Sequence, residues 1–151
     1  MLNAEVDLLR RVPLFAGIEP SRLKLLAYTS DVVTYQASQV LFKKGDVGDA
    51  AYVIIKGDAD VIIASDDGAE IPIAVLHDGD FVGEIAILCD TPRTATVRAK
   101  GELKALRIRK EPFFELLHQF PEMAVEMTRL LAERLTRTTA ELVEAQRRAH
   151  A

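Results

Sequence analysis

The chain has 151 residues, of which 49% are hydrophobic and 28% are charged, a balance typical of one folded domain and not of a disordered chain. The formal net charge of −4 argues against nucleic acid as the main partner, because binding to a phosphate backbone needs a basic surface. The single cysteine excludes an internal disulfide, and no stretch reaches the roughly 18 consecutive apolar residues of a membrane helix, so we expect a cytoplasmic protein with no membrane partner.

The first part of the chain, residues 1–30, is predicted to form two short helices. Pro13 ends the first helix, and Pro20 favours the start of the second. Charged residues interrupt the apolar ones throughout the first helix, so we do not expect a signal peptide. The apolar side chains of that helix recur at helical spacing and are Leu2, Val6, Leu8 and Leu9.

Residues 31–109 are dense in signals for β-strands. Short runs rich in β-branched residues follow one another at a spacing of about ten residues, and segments containing glycine and aspartate separate them. This rhythm predicts a sandwich, a jelly roll or a barrel. We interpret the glycines of this region outside position 83 as turn formers only: Gly45, Gly48, Gly57, Gly68, Gly79 and Gly101.

The last part of the chain, residues 110–151, is predicted to be helical, and Pro121 starts a second helix within it. From Glu122 to about Arg148 there is no glycine or proline, and at ~1.5 Å per residue this helix would be longer than one small domain can cover. One interpretation is a coiled-coil partner helix, and the other is a solvated terminal helix that frays. The first rests on a stripe with alternating steps of three and four residues: Leu131, Leu135, Thr138, Leu142 and Ala145.

One segment, residues 81–97, departs from the alternation of strand and turn. Gly83 allows a ligand to approach the backbone closely, and the apolar run after it is long enough for a helical turn, whose free N–H groups favour an anion. Arg93 presents a planar fork that binds two phosphate oxygens, whereas Glu84 is an acceptor that suits a sugar hydroxyl. Taken singly, Glu84 and Arg93 are better explained as a surface ion pair, and Gly83 as a turn residue.

The order of residues in this segment resembles a known motif. Phe-x-Gly-Glu-Ile-Ala-Ile, beginning at Phe81, and Pro-Arg-Thr-Ala-Thr-Val, beginning at Pro92, closely resemble the phosphate-binding cassette of cyclic nucleotide-binding domains. That family includes bacterial catabolite activator proteins, regulatory subunits of cyclic-nucleotide-dependent kinases and cyclic-nucleotide-gated channels. The resemblance covers nearly the whole chain, because residues 9–15 resemble the helical entry of the family, and Gly45-Asp46 and residues 52–57 resemble its early strands.

The resemblance implies a fold that is mainly β with flanking helices. It is an antiparallel eight-stranded β-roll, similar to a jelly roll, with N-terminal helices and a long C-terminal helix. We expect one such domain over residues 1–151. Its parts would be N-terminal helices in 1–30, the β-roll in 31–109 with the cassette in 81–97, and C-terminal helices in 110–151.

The resemblance also implies which residues bind the ligand. The Glu84 carboxylate would hold the ribose 2′-hydroxyl, Arg93 would neutralise the phosphate, and Thr94 would add a hydroxyl or backbone contact. The backbone N–H groups on the cyclic phosphate would be those of Gly83, Glu84, Ile85 and Ala86. A cap over the purine would come from the last helix, where the candidates are Arg134, Leu135 and Thr138.

We therefore expect a non-catalytic sensor that binds cAMP in preference to cGMP and needs no other cofactor. The bacterial activators of the family carry a helix-turn-helix after the long helix, whereas this chain ends at Ala151, so we do not expect it to bind DNA alone. The signal would pass through the C-terminal helix to an unidentified protein partner or to a second copy of the chain.

Two alternatives remain on the residues alone. One is a structural or interaction domain of the same fold that has lost its ligand, against which the intact Gly83, Glu84 and Arg93 argue. The other is an enzyme, such as a metal enzyme of the cupin type, which shares this β architecture. A metal site requires clustered ligands, whereas the histidines are scattered at positions 77, 118 and 150, and no pairing of a nucleophile with a base is visible.

Overall fold

A computed structural model of the chain describes residues 2–12 and 15–150, without the side chains of residues 2, 3, 85, 130 and 134. The helices are α1 (Leu2–Arg11), α2 (Pro20–Tyr28), α3 (Glu84–Cys89), α4 (Lys110–Gln119) and α5 (Pro121–Ala149). The strands are β1 (Asp31–Tyr35), β2 (Val40–Phe42), β3 (Ala50–Lys56), β4 (Ala59–Ala64), β5 (Glu70–Leu76), β6 (Phe81–Val82), β7 (Thr96–Ala99) and β8 (Leu103–Arg109).

The eight strands of the described residues form two four-stranded sheets. One sheet has the order β1-β8-β3-β6 and the other the order β2-β7-β4-β5, and their strand pairs are antiparallel. Apolar side chains from both sheets pack against one another in a shared core, so that the sheets close into a roll. The predicted class, a mainly β antiparallel eight-stranded roll with flanking helices, is confirmed.

Strand β3 shows how an unbroken apolar run becomes the centre of the molecule. Val53 packs towards the helices, in the same cluster as Phe113, whereas Tyr52 and Ile54 pack between the two sheets. Side chains alternate across a strand, so a strand that is covered on both faces must be apolar at successive positions. The run from Tyr52 to Ile55 satisfies that requirement.

The helices at the two ends of the chain pack together on the outer face of the first sheet. Their fully buried side chains include Leu9, Phe15, Leu23, Phe113 and Met123. Among the described side chains of α5, those that contact this cluster lie in its first part and are Met123, Met127 and Leu131.

Gly48 has a different role from the one predicted. It lies in the segment between β2 and β3, outside any turn, and a Cβ at this position would overlap the Cβ of Ala86 in α3. The interpretation of Gly48 as a turn former is therefore wrong. The absence of a side chain instead allows this segment to pack directly on α3, next to the cavity described below.

Candidate functional site

A cavity of about 180 Å³ opens where β6 and α3 meet the second sheet. Larger depressions lie elsewhere, such as one of about 490 Å³ beside α1, but its charged residues are exposed or half-buried. The smaller cavity is distinguished by two buried charged residues, Glu84 and Arg93. Its lining consists of Phe42, Val61, Phe81, Val82, Gly83, Glu84, Ala86, Arg93, Thr94, Ala95 and Val97.

Gly83 meets two local requirements as the residue before α3. Its φ is +92°, in the left-handed region that side chains disfavour, and this conformation turns the chain from β6 into the helix. A Cβ added here would also lie 2.6 Å from Nη1 of Arg93 and 3.3 Å from the carbonyl oxygen of Ala50. Glycine is therefore required both for the backbone conformation and for the space that the guanidinium occupies.

Arg93 is 3% exposed and is held at both its ends. Its Nη1 donates to the carbonyl oxygen of Gly83 at 3.1 Å, and its Nη2 donates to that of Ala50. Its main chain is fixed by the segment after β2, because Gly45 N donates to Arg93 O at 2.8 Å and Arg93 N donates to Asp46 O at 2.9 Å. These contacts fix both the main chain and the guanidinium of Arg93, the latter through the first residue of β3.

The charge of Arg93 is only partly compensated. Asp49 Oδ1 lies 3.8 Å from Nη2, but the Asp49 side chain is 81% exposed, so water screens this ion pair. The buried Nε of Arg93 has no hydrogen-bond partner among the described residues. Burial lowers the pKa of the guanidinium, and Asp49 opposes that shift, but an arginine remains protonated in proteins. The cavity therefore contains a fixed cation that is suited to an anion.

Glu84 is the first residue of α3 and is 6% exposed. Its carboxylate stands near the N-terminus of a helix, where a negative charge is favourable. Of the residues predicted to bind the ligand, Ala86 is buried and Thr94 is exposed, and both line the same cavity as Gly83, Glu84 and Arg93. The Ile85 side chain lies outside the described residues.

Two of the three predicted cap residues do not line the cavity. Leu135 and Thr138 lie on the exposed part of α5, and neither is among the lining residues. The side chain of Arg134, the third candidate, lies outside the described residues. Among the described residues, those that line the cavity belong to the β-roll and to α3.

Three residues of the site were missed by sequence reasoning, and all three precede β3. The ring of Phe42 lies against the guanidinium of Arg93. Gly48 leaves space for the side chain of Ala86, and the carboxylate of Asp49 lies near Nη2 of Arg93. The available signal was the Gly-Asp pair at 45–46 that recurs at 48–49, in which we interpreted Gly45 and Gly48 as turn formers only.

Within the described part of the chain, no group of three or more His, Cys, Asp or Glu residues could hold a metal ion. A search of the same residues for a helix long and apolar enough to cross a membrane also finds none.

Comparisons with known proteins agree with this geometry. A family model described as cyclic nucleotide-binding domain matches residues 32–120. The chain is 41% identical over 109 residues to a cAMP-dependent protein kinase regulatory subunit of Blastocladiella emersonii, which covers 72% of this chain and 27% of that protein. It is 28% identical over 138 residues to a CRP-like cAMP-activated global transcriptional regulator of Mycobacterium tuberculosis, covering 91% of this chain and 62% of that protein.

A solved structure with similar architecture is the N-terminal domain of a transcriptional regulator from Streptomyces coelicolor A3(2). The TM-score is 0.77 at 34% identity, and the match covers 90% of this chain and 95% of that one. The chain thus spans about a quarter of the length of the kinase regulatory subunit and under two thirds of the mycobacterial regulator.

Proposed function

The chain belongs to the family of cyclic nucleotide-binding domains, and from this premise we propose that residues 1–151 form one sensor domain that binds cAMP in preference to cGMP. The family is a regulatory binding domain and not a catalytic one, in agreement with the expectation that the chain is not an enzyme. The preference for cAMP is supported by the relatives, which are named as cAMP-dependent or cAMP-activated.

The proposal depends on one observation, which is the incomplete hydrogen bonding of the buried Arg93 side chain. A guanidinium has five N–H groups, and two of them are used on the carbonyls of Gly83 and Ala50. The buried Nε has no hydrogen-bond acceptor among the described residues. Leaving a buried charged donor unpaired is costly, so an anionic ligand that accepts from the guanidinium gains both charge neutralisation and hydrogen bonds.

We propose that the cyclic phosphate is this anion and that the neighbouring residues bind the rest of the ligand. Backbone N–H groups from residues 83–86 would add contacts to the phosphate, and Glu84 would accept from the ribose 2′-hydroxyl. Thr94, which is exposed and lines the cavity, would contact the phosphate or the purine.

The volume of the cavity supports this division of the ligand. About 180 Å³ is below the roughly 300–1,000 Å³ of pockets that enclose a drug-sized molecule. The sugar and phosphate would be enclosed, and the purine would extend beyond the opening. A cover for it would come from α5, where Leu135 and Thr138 are exposed and would have to approach the opening. Arg134 is the third candidate for this cover.

The output is proposed to pass through α5 to a protein partner or to a second copy of the chain, in the cytoplasm. The described side chains of α5 beyond Leu131 are exposed, and the apolar ones among them include Leu135, Leu142 and Val143. Neither DNA nor a membrane is part of this proposal.

Calorimetric titration of the chain with cAMP, cGMP and 5′-AMP tests the proposal. We expect micromolar or tighter binding of a cyclic nucleotide, equivalent to roughly 8 kcal/mol or more, and a higher unfolding temperature at saturation. The open phosphate of 5′-AMP makes it the matched control. No heat and no thermal shift with either cyclic nucleotide at millimolar concentration would leave the domain as a structural module without this ligand.

A further inference from the structure

Phe42 presents the face of its ring to the cation of the site. It is the last residue of β2, it is buried, and the Cζ atom of Arg93 lies 4.0 Å from its ring centroid. A guanidinium within about 6 Å of an aromatic centroid is attracted by the negative face of the ring. The other neighbour of the ring is Tyr52, with the two centroids 5.8 Å apart and the rings tilted by 31°.

The local backbone explains why a β2 residue reaches Arg93. Strand β2 pairs with β7, and the register shifts between Val40 and Phe42. Such an irregularity redirects side chains next to functional sites. The residues that follow, Gly45 and Asp46, bond the main chain of Arg93, so a single segment contacts both the backbone and the guanidinium of this residue.

A neutral ring has an effect on this cation that a carboxylate would not have. A buried carboxylate in contact with the guanidinium would cancel its charge and compete with a phosphate for its N–H groups. The carbonyls of Gly83 and Ala50 and the ring of Phe42 compensate part of the desolvation while carrying no net charge. Asp49, the nearest carboxylate, is exposed.

We propose that Phe42 is a positioning residue of the anion site, whose ring face holds the Arg93 guanidinium in place and leaves its positive charge to the ligand. This inference rests on the proposed function in that the anion is taken to be the phosphate of a cyclic nucleotide. It predicts that the affinity for the ligand depends on the electron density of the ring and not only on its shape.

Fluorination separates these two properties, because fluorine withdraws electrons from the ring face and changes the shape of the side chain little. In the full chain, Phe42 is replaced by 4-fluoro-, 3,5-difluoro- and 3,4,5-trifluorophenylalanine. Phe113 is substituted in the same way as the control, because its ring is buried against Phe15 at 6.4 Å and it is not among the lining residues of the cavity. The dissociation constant for cAMP is measured by calorimetry, and the unfolding temperature is measured without ligand.

We expect the dissociation constant to rise stepwise with fluorination of Phe42, by about five- to tenfold for the trifluoro ring, and to show no trend in the Phe113 series. The ligand-free unfolding temperature should fall stepwise in the Phe42 series, and this trend should vanish in an Arg93→Gln background. A dissociation constant that is unaffected by fluorination of Phe42, or that responds equally in both series, overturns the proposal.

The failure of the proposed function is distinguishable from the failure of this inference. If the unsubstituted chain binds no cyclic nucleotide, the proposed function is overturned, and the unfolding temperatures still test the contact. A stepwise fall that Arg93→Gln abolishes then supports a ring that stabilises the guanidinium, and equal behaviour in both backgrounds overturns it.

Discussion

At Gly83 the requirement for a left-handed backbone and the requirement for empty space coincide. The φ of +92° would strain any side chain, and a Cβ would meet Nη1 of Arg93 at 2.6 Å. Because the guanidinium is fixed by bonds to Gly83 O and Ala50 O, it cannot retreat without losing one of them. A substitution here therefore affects the anion site through geometry and not only through stability.

We predict that Gly83→Ala lowers the free energy of unfolding by about 1–3 kcal/mol and weakens the binding of cyclic nucleotide by more than tenfold. Gly68→Ala is the matched control, because Gly68 also has a positive φ, +85°, but has open space around its Cβ position. It should lose comparable stability and keep its affinity. Chemical denaturation and calorimetry measure the two effects, and equal losses of affinity in the two variants would contradict the steric argument.

The role proposed for Glu84 is tested by comparing ligands with and without the ribose 2′-hydroxyl. Glu84→Ala should weaken the binding of cAMP by roughly 10- to 150-fold, since a hydrogen bond to a charged group contributes about 1.5–3 kcal/mol. The variant should also lose most of the preference for cAMP over 2′-deoxy-cAMP. Competition binding with both ligands measures this preference, and a variant that discriminates as strongly as the unsubstituted chain would show that another group contacts the 2′-hydroxyl.

Some residues of the site could be predicted from the sequence, and others could not. Gly83, Glu84 and Arg93 lie within one short segment with a distinctive order, so a local pattern is enough to find them. The contacts of Phe42 with Arg93 and of Gly48 with Ala86 join residues that are tens of positions apart in the sequence. Neither periodicity nor turn chemistry carries information about such pairs.

Among the elements, β7 differs most clearly from its predicted form. The sequence predicts a strand from Thr94, whereas the strand begins at Thr96. The reason is that Arg93 forms its main-chain bonds with the segment after β2 and both Arg93 and Thr94 line the cavity. The β-branched residues predicted the correct type of element. The first two residues of the predicted strand, Thr94 and Ala95, line the cavity instead of pairing in the sheet.

The start of α4 is attached to both sides of the site. Lys110 N donates to the carbonyl oxygen of Asp49, whose carboxylate approaches Arg93, and Lys110 Nζ donates to Asp90 Oδ1 at 2.7 Å. Asp90 ends α3 with a φ of +52°, a conformation that Asp and Asn tolerate better than most residues. One residue thus joins the helix of the cavity to the helices that follow the roll.

We predict that Asp90→Asn and Lys110→Met each speed the dissociation of nucleotide by about two- to fivefold, and that the double variant is no faster than either. Asn keeps the backbone conformation, so the change isolates the charge. A fluorescent cAMP analogue in a stopped-flow instrument gives the rates, with Glu144→Gln on distal α5 as the control. Additive effects of the two substitutions would contradict a direct coupling.

The ion pair between Lys110 and Asp90 also predicts how the dissociation rate of the nucleotide depends on pH. The hydrogen bond and charge of Lys110 lower the pKa of Asp90, so the ion pair is fully present above the ordinary pKa of an aspartate. It is lost as the pH falls through the lowered pKa of the folded state. The difference in dissociation rate between Asp90→Asn and the unsubstituted chain should therefore be constant near neutral pH and shrink only in acid.

At the scale of the whole molecule, helix α5 has two parts that differ in how they are stabilised. Its first part is fixed to the core by Met123 and Met127, and Leu131 is the last of its described side chains to pack there. Beyond it, Leu135 is 67% exposed and Leu142 is 59% exposed, so this part is held mainly by its own backbone bonds. The sequence predicted a helix longer than the rest of the domain can cover, but not the residue at which its packing ends, because the apolar stripe continues past Leu131.

A weakly held segment next to a ligand site can be shifted by a modest difference in affinity. Local stability is low where few apolar contacts are made, and a change from mostly open to mostly closed requires up to about 5.5 kcal/mol of differential binding. A purine that extends from the small cavity would offer α5 a new apolar surface. Closure of α5 over it would bring the proposed cap residues to the ligand.

We therefore predict that saturating cAMP slows hydrogen exchange in residues from Arg129 to Leu142, whereas amides near the end of α5 change little. Truncation after Leu130 should preserve the fold, because the buried contacts Met123 and Met127 remain, yet it should weaken binding and remove the response. Mass-spectrometric exchange with and without cAMP measures the first effect, and calorimetry on the truncated chain measures the second. Unchanged exchange in α5 alongside tight binding would show that the cavity is not coupled to this helix, and the signal would then have to pass through the helices α1 and α2.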